Sequence, residues 1–411
     1  MLNKSGIREL AYLVKIDEIR PIEGYDRVEY ARVGGWWVIV KKDQFKVGDT
    51  AIYIEVDSKV PEKEPFMFLE KRHFKVKTLK MCKVISQGLL MEPANFGWEV
   101  LEDGSVDIKQ HMNTSNLMVG DFVTELLGIT YAEAEDNKRK AASADKYKLM
   151  AQRNGKLFAK QPFRWLMRRD WGKKLLFVFF GKKKDKKNGW PIWVVKTDEE
   201  RCQNMPWLFP GNPEEEWIAT EKVDGTSTTF TMKGFGRGRQ FFVCSRNVVF
   251  DKPDKNCYYD TNVYLEMAEK YNIEKVLEEI LWRYSAVCNF ITIQGETYGA
   301  TVQKRDYGLK DRDFKAFNVI LGYEDGHTER LNPIAMKELL DEFNIPTVDI
   351  VDEHFKIPAT CEELLTMAGG PSAIDGGMRE GLVFRSYDGA RSFKAVDNNF
   401  LLKYHSYLYG L

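Results

Sequence analysis

The chain has 411 residues, enough for two or three domains that each bury a core of their own. Lys plus Arg and Asp plus Glu both number 61, so the formal net charge is zero and bulk electrostatics names no partner. Six cysteines with no C-x-x-C pair and no histidine at zinc-finger spacing support neither a disulfide framework nor a structural zinc site.

The start, MLNKSGIREL, lacks the charged-then-apolar pattern of a signal peptide. Residues 1–125 then read as strands: YLVKIDEIRPI, VEYARVGG, WWVIVKKD and TAIYIEVD are short β-branched and aromatic runs punctuated by Gly24, Gly34, Gly35 and Gly48. Such spacing predicts a small barrel or sandwich, with a partly open five-stranded barrel of the oligonucleotide-binding (OB) type as one candidate and any other small β domain as the alternative.

Residues 126–189 change character. From Lys138 to Lys187 there are 18 Lys or Arg against three acids, roughly +15. RWLMRRDW and KKLLFVFFGKKKDKK interleave aromatics with cations. Three readings stay open for this segment: a solvated linker with one or two docked helices, a surface that tracks phosphates, and an amphipathic membrane-surface segment. Its longest apolar run, LLFVFF at 175–180, is far short of the ~20 residues of a membrane span. A soluble intracellular protein, cytoplasmic by default and without a membrane partner, is expected.

Residues 190–411 mix strands with helices. VYLEMAEKYNIEKVLEEILWRYS has helical periodicity, NPIAMKELLDEF opens with Asn332 as a cap and Pro333 in the first turn, and TCEELLTMAGG carries a capping box of Thr360 and Glu363. Between them lie the strand candidates WIATEKV, TSTTFTM, RQFFVCSR, FITIQGETYG, FKAFNVILGY and EGLVFRS. The fold class is therefore α+β: a small β-barrel module, a basic linker region, and a larger domain of antiparallel sheets flanked by helices.

Within this last domain, TEKVDGTSTTF at 220–230 is followed in order by SRN at 245–247, GETYG at 295–299, KAFNVI at 315–320, EGLVFR at 380–385 and SFKAVDNNFLLKYH at 392–405. A lysine amine attacks phosphorus only when deprotonated, and its ordinary pKa is near 10.4, so a nucleophilic Lys222 calls for burial and neighbouring cations to lower it. Lys394 and Lys403 are the cations available in the motifs, each also able to neutralise an α-phosphate, and Asp224, Glu296 and Glu380 are the carboxylates available to a divalent metal.

The ordered set resembles the covalent nucleotidyltransferase superfamily of ATP-dependent polynucleotide ligases and mRNA capping enzymes. EKVDGTS looks like an RNA ligase, and KTDEERCQNMPW just upstream is similar to the lead-in of RNA ligases that carry an N-terminal OB-type module. The resemblance implies an ATP-dependent RNA ligase joining 3′-hydroxyl to 5′-phosphate ends, acting on RNA or an RNA-containing duplex with a nick, as a monomer and without a known protein partner. It implies a lysyl-AMP at Lys222, Mg²⁺ or Mn²⁺ held by Asp224 and Glu380, and ribose contacts from Arg246 and Glu296. It further implies Phe317 stacked on adenine, Glu221 and Lys394 at the nucleotide, and Ser245, Asn247 and Arg385 toward phosphate or the incoming strand. Family members often place two lysines two apart in the last motif; here Ala395 and Val396 follow Lys394, which leaves Lys403 as the second cation. Two rival readings are a GTP-dependent capping guanylyltransferase, disfavoured because only 17 residues follow Lys394, and a catalytically inactive nucleic-acid-binding protein.

Overall fold

The computed structural model describes residues 8–108, 116–131, 160–180, 190–195, 198–246, 248–250, 262–303 and 305–405. Asn247 and most of the 138–187 segment lie outside the described residues.

The N-terminal part is built on two three-stranded sheets. One has the order Ala11–Lys15, Thr50–Ile54, Leu89–Met91, the other Glu18–Ile22, Tyr25–Val33, Trp36–Lys41. YLVKIDEIRPI is thus two strands: the chain leaves one sheet at Lys15, buries Ile16 and enters the other at Glu18. The period-2 alternation puts Ala31, Val33, Trp36, Val38 and Val40 into the barrel core beside Tyr12, Ala51 and Tyr53. Strand Thr130–Tyr131 pairs with Ser58–Lys59, so this unit runs six residues beyond the expected limit of 125.

Described residues 160–180 form two short helices, Gln161–Met167 and Asp170–Phe180, which share a small apolar cluster around Leu176. Among the described residues no helix is long and apolar enough to cross a membrane.

The C-terminal part has two sheets. The five-stranded one runs Glu200–Arg201, Ser392–Val396, Gly381–Arg385, Glu216–Lys222, Ile350–Lys356; the six-stranded one runs Val249–Phe250, Gln240–Ser245, Thr226–Lys233, Cys288–Gly299, Arg312–Tyr323, Thr328–Arg330. Neighbours are antiparallel except Glu200–Arg201, which pairs in parallel with Phe393 and Lys394. Helices Val263–Lys270, Ile273–Arg283 and Pro333–Asp341 cover the larger sheet, burying Leu277, Ile280 and Leu340 against Phe230, Ile291 and Phe314. The caps are where their residue types require them: Asn332 accepts from Ala335 N at 2.9 Å and Thr360 from Glu363 N at 3.2 Å.

The described part of the lead-in, residues 198–207, is the clamp between the two parts. The Asn204 amide accepts from Trp36 Nε1 (2.6 Å) and Tyr12 Oη (3.0 Å) and donates to Glu55 (2.9 Å) and Glu200 (2.7 Å). Arg8 reaches Asp198 at 2.8 Å and Glu55 at 3.1 Å. Such buried polar contacts are satisfied only in one docking geometry, so they orient the barrel on the larger domain.

Candidate active site

Lys222 is the last residue of its strand, paired with Gly381, and Thr226 opens the first strand of the other sheet. Val223, Asp224 and Gly225 therefore make the crossing between the two sheets, and the lysine stands at the seam. Gly225 is required there: a Cβ would lie 2.3 Å from Thr297 O. Around the seam, a cleft of about 450 Å³ collects side chains from both sheets.

Glu380 directly precedes the strand paired with that of Lys222, and its Oε2 lies 2.6 Å from Lys222 Nζ. Glu296 comes from the other sheet, opposite Ser227. Asp224 is buried, its backbone N–H donating to Tyr307 Oη at 2.7 Å. Lys394 lies across the cleft, its ammonium 3.0 Å from Asp198. Arg246 donates to the same Asp198 at 3.1 Å and sits 5.4 Å from the centroid of the Tyr131 ring. Phe317 lines the cleft and packs beside Val223, Tyr298 and Tyr307, so it is both a wall of the site and part of a small core.

The electrostatics correct one expectation. Burial disfavours the Lys222 ammonium, but Glu380, Glu296 and Asp224 outweigh it, and the pKa is raised, not lowered. The charges that act most on it are carboxylates. Burial raises Glu296 to about 8, Glu380 and Asp224 adding to the shift while Lys222 opposes it. Burial likewise brings Lys394 down to about 8, against Asp198, with Arg8, Arg201 and Lys222 adding to the fall. Asp198 itself is held well below the usual carboxylate range, because Lys394 and Arg8 overcome the cost of its burial.

This crowding of carboxylates suits a hard cation. Among the described residues no three His, Cys, Asp or Glu side chains converge on a point that could hold a bare ion. The set fits instead a Mg²⁺-like ion, which takes one or two carboxylates and completes its shell with water and phosphate oxygens.

Three expected site residues lie elsewhere or do other work. Lys403 is exposed on the last helical turn, its ammonium 5.0 Å from the Tyr404 ring centroid and outside the cleft lining, although Leu401 two residues earlier still borders it. The Glu221 carboxylate accepts from Ser372 Oγ (2.6 Å) and Ala373 N (2.8 Å), since alternation along the strand points it away from its neighbour Lys222. Ser245 Oγ accepts from Val248 N at 3.2 Å and closes a turn, although the residue still borders the cleft. Arg385 is buried in the cleft wall, 3.2 Å from Glu199, and burial lowers its pKa to about 10.

Sequence reasoning assigned no role to Arg201, Asp198, Lys77, Asp57 and Tyr131, all of which border the cleft. Arg201 is buried with Nε and Nη1 lacking hydrogen-bond partners among the described residues, and its Nη2 lies 3.6 Å from Asp57. A buried guanidinium with unused donors is suited to phosphate oxygens. The signal was present in the lead-in, where an arginine follows three acids, but its meaning comes from the parallel pairing of Arg201 with Lys394. Lys77, 2.5 Å from Asp57, brings a barrel cation to the same cleft.

Residues 10–93 match the family model of an OB-fold domain, and residues 215–405 match that of RNA ligase. No curated protein sequence matches the chain. Among solved structures, the chain is similar to Naegleria gruberi RNA ligase with PPi, at 26% identity and TM-score 0.67, covering 97% of this chain and 99% of that one. A lysine-to-alanine variant of that ligase with ATP and Mn is similar at 25% identity and TM-score 0.69, with the same coverage. A glutamate-to-alanine variant with AMP and Mn gives 26% and 0.67, again over 97% and 99%. Two domain matches in order along the chain and a structural likeness over nearly its full length agree: the chain carries an OB-fold domain ahead of a domain of the RNA ligase family, the arrangement of the solved RNA ligase it resembles.

Proposed function

We propose that the protein is an ATP-dependent RNA ligase that joins a 3′-hydroxyl to a 5′-phosphate, most usefully across a nick in a duplex, with Lys222 as the nucleophile. The observation that carries this reading is the position of Lys222 Nζ, 2.6 Å from Glu380 at the seam of two sheets, with Asp224, Glu296, Lys394 and Arg201 around it.

The first step is displacement at the α-phosphorus of ATP: a bond forms from Lys222 Nζ, the bond to the bridging oxygen breaks, and pyrophosphate leaves with that electron pair. The lysyl-bound AMP then passes to an RNA 5′-phosphate, giving a 5′-5′ pyrophosphate and restoring Lys222. A 3′-hydroxyl attacks the 5′-phosphorus and AMP leaves. Each step is an in-line displacement, for which positioning and charge neutralisation supply most of the rate.

Glu380 holds the Lys222 ammonium in place before the nucleotide arrives. Asp224 and Glu380 would hold Mg²⁺ or Mn²⁺, directly or through water, and such an ion would supply positive charge against the carboxylates and the phosphate. Lys394 neutralises the α-phosphate and Arg201 the departing pyrophosphate. Arg246 and Glu296 contact the ribose and Phe317 faces the adenine, an aromatic surface against a flat π-system. Arg385 braces the cleft wall through Glu199. The working division of the chain is the OB-fold module, the basic segment, and the ligase domain from about residue 190.

The test is to incubate the protein with Mg²⁺ and each of four α-³²P-labelled nucleoside triphosphates beside Lys222→Ala. Label on the denatured protein from ATP alone, lost in the variant, is the expected result. Label from GTP would move the reading to capping. No label on folded protein free of bound AMP would sink it.

A further inference from the structure

Residues 160–180 carry six Lys or Arg against one acid, Asp170, and none of them lines the nucleotide cleft. Their two helices make a closely packed hairpin. At Gly172 a Cβ would lie 2.2 Å from Leu166 O, so only glycine lets the helices approach this far. Leu176 is buried there among Phe163, Leu166, Met167 and Phe180.

The longer helix, Asp170–Phe180, has a second apolar face that this small core does not use. Trp171, Leu175, Val178 and Phe179 recur at i, i+4, i+7 and i+8, the spacing of one helical face, and are 53, 44, 68 and 72% exposed. Trp165 of the shorter helix extends the strip, its ring meeting that of Trp171 edge-on at 6.0 Å. Arg168, Arg169 and Lys174 are exposed beside it, and the Arg169 guanidinium lies 4.4 Å from the Trp165 ring centroid.

The chemistry of this face selects what covers it. Contiguous exposed apolar side chains mark a surface that meets protein or membrane. An RNA backbone would use the cations and leave Leu175, Val178 and Phe179 in water. A neutral protein surface would cover the strip and leave the cations unmatched. An anionic bilayer answers both: the acyl boundary takes the strip, tryptophans settle at headgroup level, and Lys and Arg reach the anionic headgroups on their flexible stems. With 11 residues the helix is about 16 Å long, too short to span a bilayer core of about 30 Å but suited to lying in its surface.

We propose that this hairpin seats the protein on a membrane surface rich in anionic phospholipid, with the Trp165 to Phe179 strip at the acyl boundary and Arg168, Arg169 and Lys174 at the headgroups. The expectation of no membrane partner rested on the lack of a spanning run, which a helix lying flat does not need.

The experiment floats the full chain on a density gradient with vesicles of phosphatidylcholine alone or of phosphatidylcholine and phosphatidylserine in equal parts. The parent should partition onto the mixed vesicles about tenfold better or more, and rising salt should shrink that advantage. Leu175→Ser combined with Phe179→Ser, exposed changes that spare the hairpin core, should lower the partition about tenfold or more. Arg168→Gln combined with Lys174→Gln should lower it about tenfold on mixed vesicles and leave neutral ones unaffected. Thermal melts confirm that both variants fold. Equal flotation on the two kinds of vesicle, or variants within about twofold of the parent on mixed vesicles, would overturn the proposal. So would variants that float like the parent but lose affinity for a fluorescent RNA duplex, which would make the hairpin an RNA surface. Labelling by α-³²P ATP keeps the two readings apart: a parent that floats without taking label retains the hairpin and loses the ligase reading, and the reverse loses the hairpin alone.

Discussion

The cleft at Lys222 and a second cleft, lined by Trp37, Tyr30, Arg20, Gln87, Glu362 and Asn398, lie on either side of Asp397, yet they leave opposite things unbalanced. In the first, ionised groups crowd one another: Glu296 is driven up to about 8 and Lys394 down to about 8, both by burial. In the second, charges nearly cancel and what remains unmet are an aromatic face and two amide atoms. A site that must stabilise moving negative charge stores electrostatic mismatch, and that mismatch marks the first cleft and not the second as the place for the chemistry.

The comparison breaks first at the charges. Glu380→Gln and Lys394→Ala should each slow single-turnover transfer of AMP from ATP by roughly 10²–10³, the cost of one stabilising group in a water-poor site. Glu380→Gln carries a second signature. Glu380 is the strongest of the charges that raise the Lys222 pKa, so its loss lets that pKa fall, and the alkaline rise of the rate with pH should move to lower pH even as the maximum drops. A variant that slows transfer with no such displacement would reduce Glu380 to a metal or structural role. Arg201→Ala should cost about 10²-fold in the same assay, and Arg201→Lys should restore little, because an ammonium cannot present a planar fork to phosphate oxygens.

The docking that creates both clefts is the next point of attack. At Gly35 a Cβ would stand 2.6 Å from Gln203 Cα, backbone against backbone, where Gly35 N also donates to Gln203 O at 2.9 Å. Gly35→Ala should cost about 1–3 kcal/mol of unfolding free energy in a urea titration. An unchanged midpoint would mean that the barrel docks without this contact.

A smaller effect comes from pH without metal. The Glu296 carboxyl rises from its ordinary 4.5 to about 8 in the fold, so folding favours its protonated form. The stability this contributes is complete below pH 4.5 and is lost as pH rises through about 8, by less than about 1.4 kcal/mol per pH unit. Metal-free melts should therefore fall in Tm between pH 5 and 8, more steeply than those of Glu296→Gln, and Mg²⁺ should narrow the difference. Parallel pH profiles for the two proteins would remove Glu296 from the crowded group.

Much of this was legible because it is local. Asn332 and Thr360 announce their helices within four residues, and the strand TEKV with a glycine three beyond the lysine announces the seam. What was missed depends on pairing between distant segments. Arg201 and Asp198 meet Lys394 only because Glu200–Arg201 lies parallel to Phe393–Lys394, nearly two hundred residues on. Lys77 and Tyr131 reach the cleft only because the barrel is docked by Asn204, and no periodicity within the barrel strands encodes that. Glu221 illustrates another limit: adjacent strand residues face opposite sides, so the carboxylate beside the nucleophile in sequence bonds to the loop at Ser372, although the residue still borders the cleft.

Lys403 gives the smallest prediction and the cleanest contrast with Lys394. Both were read as phosphate cations on motif position alone, but Lys394 is held at 3.0 Å from Asp198 inside the cleft, while Lys403 is exposed beside Tyr404. An exposed ammonium is screened by water and salt, so at this place it adds little to a transition state formed elsewhere. Lys403→Ala should leave AMP transfer within about twofold of the parent, against the loss of about 10² or more in Lys394→Ala. If the two variants fell together, the last helical turn would have to close over the nucleotide during the reaction, and the spacing of nine residues between the lysines would be a hinge and not a coincidence of sequence.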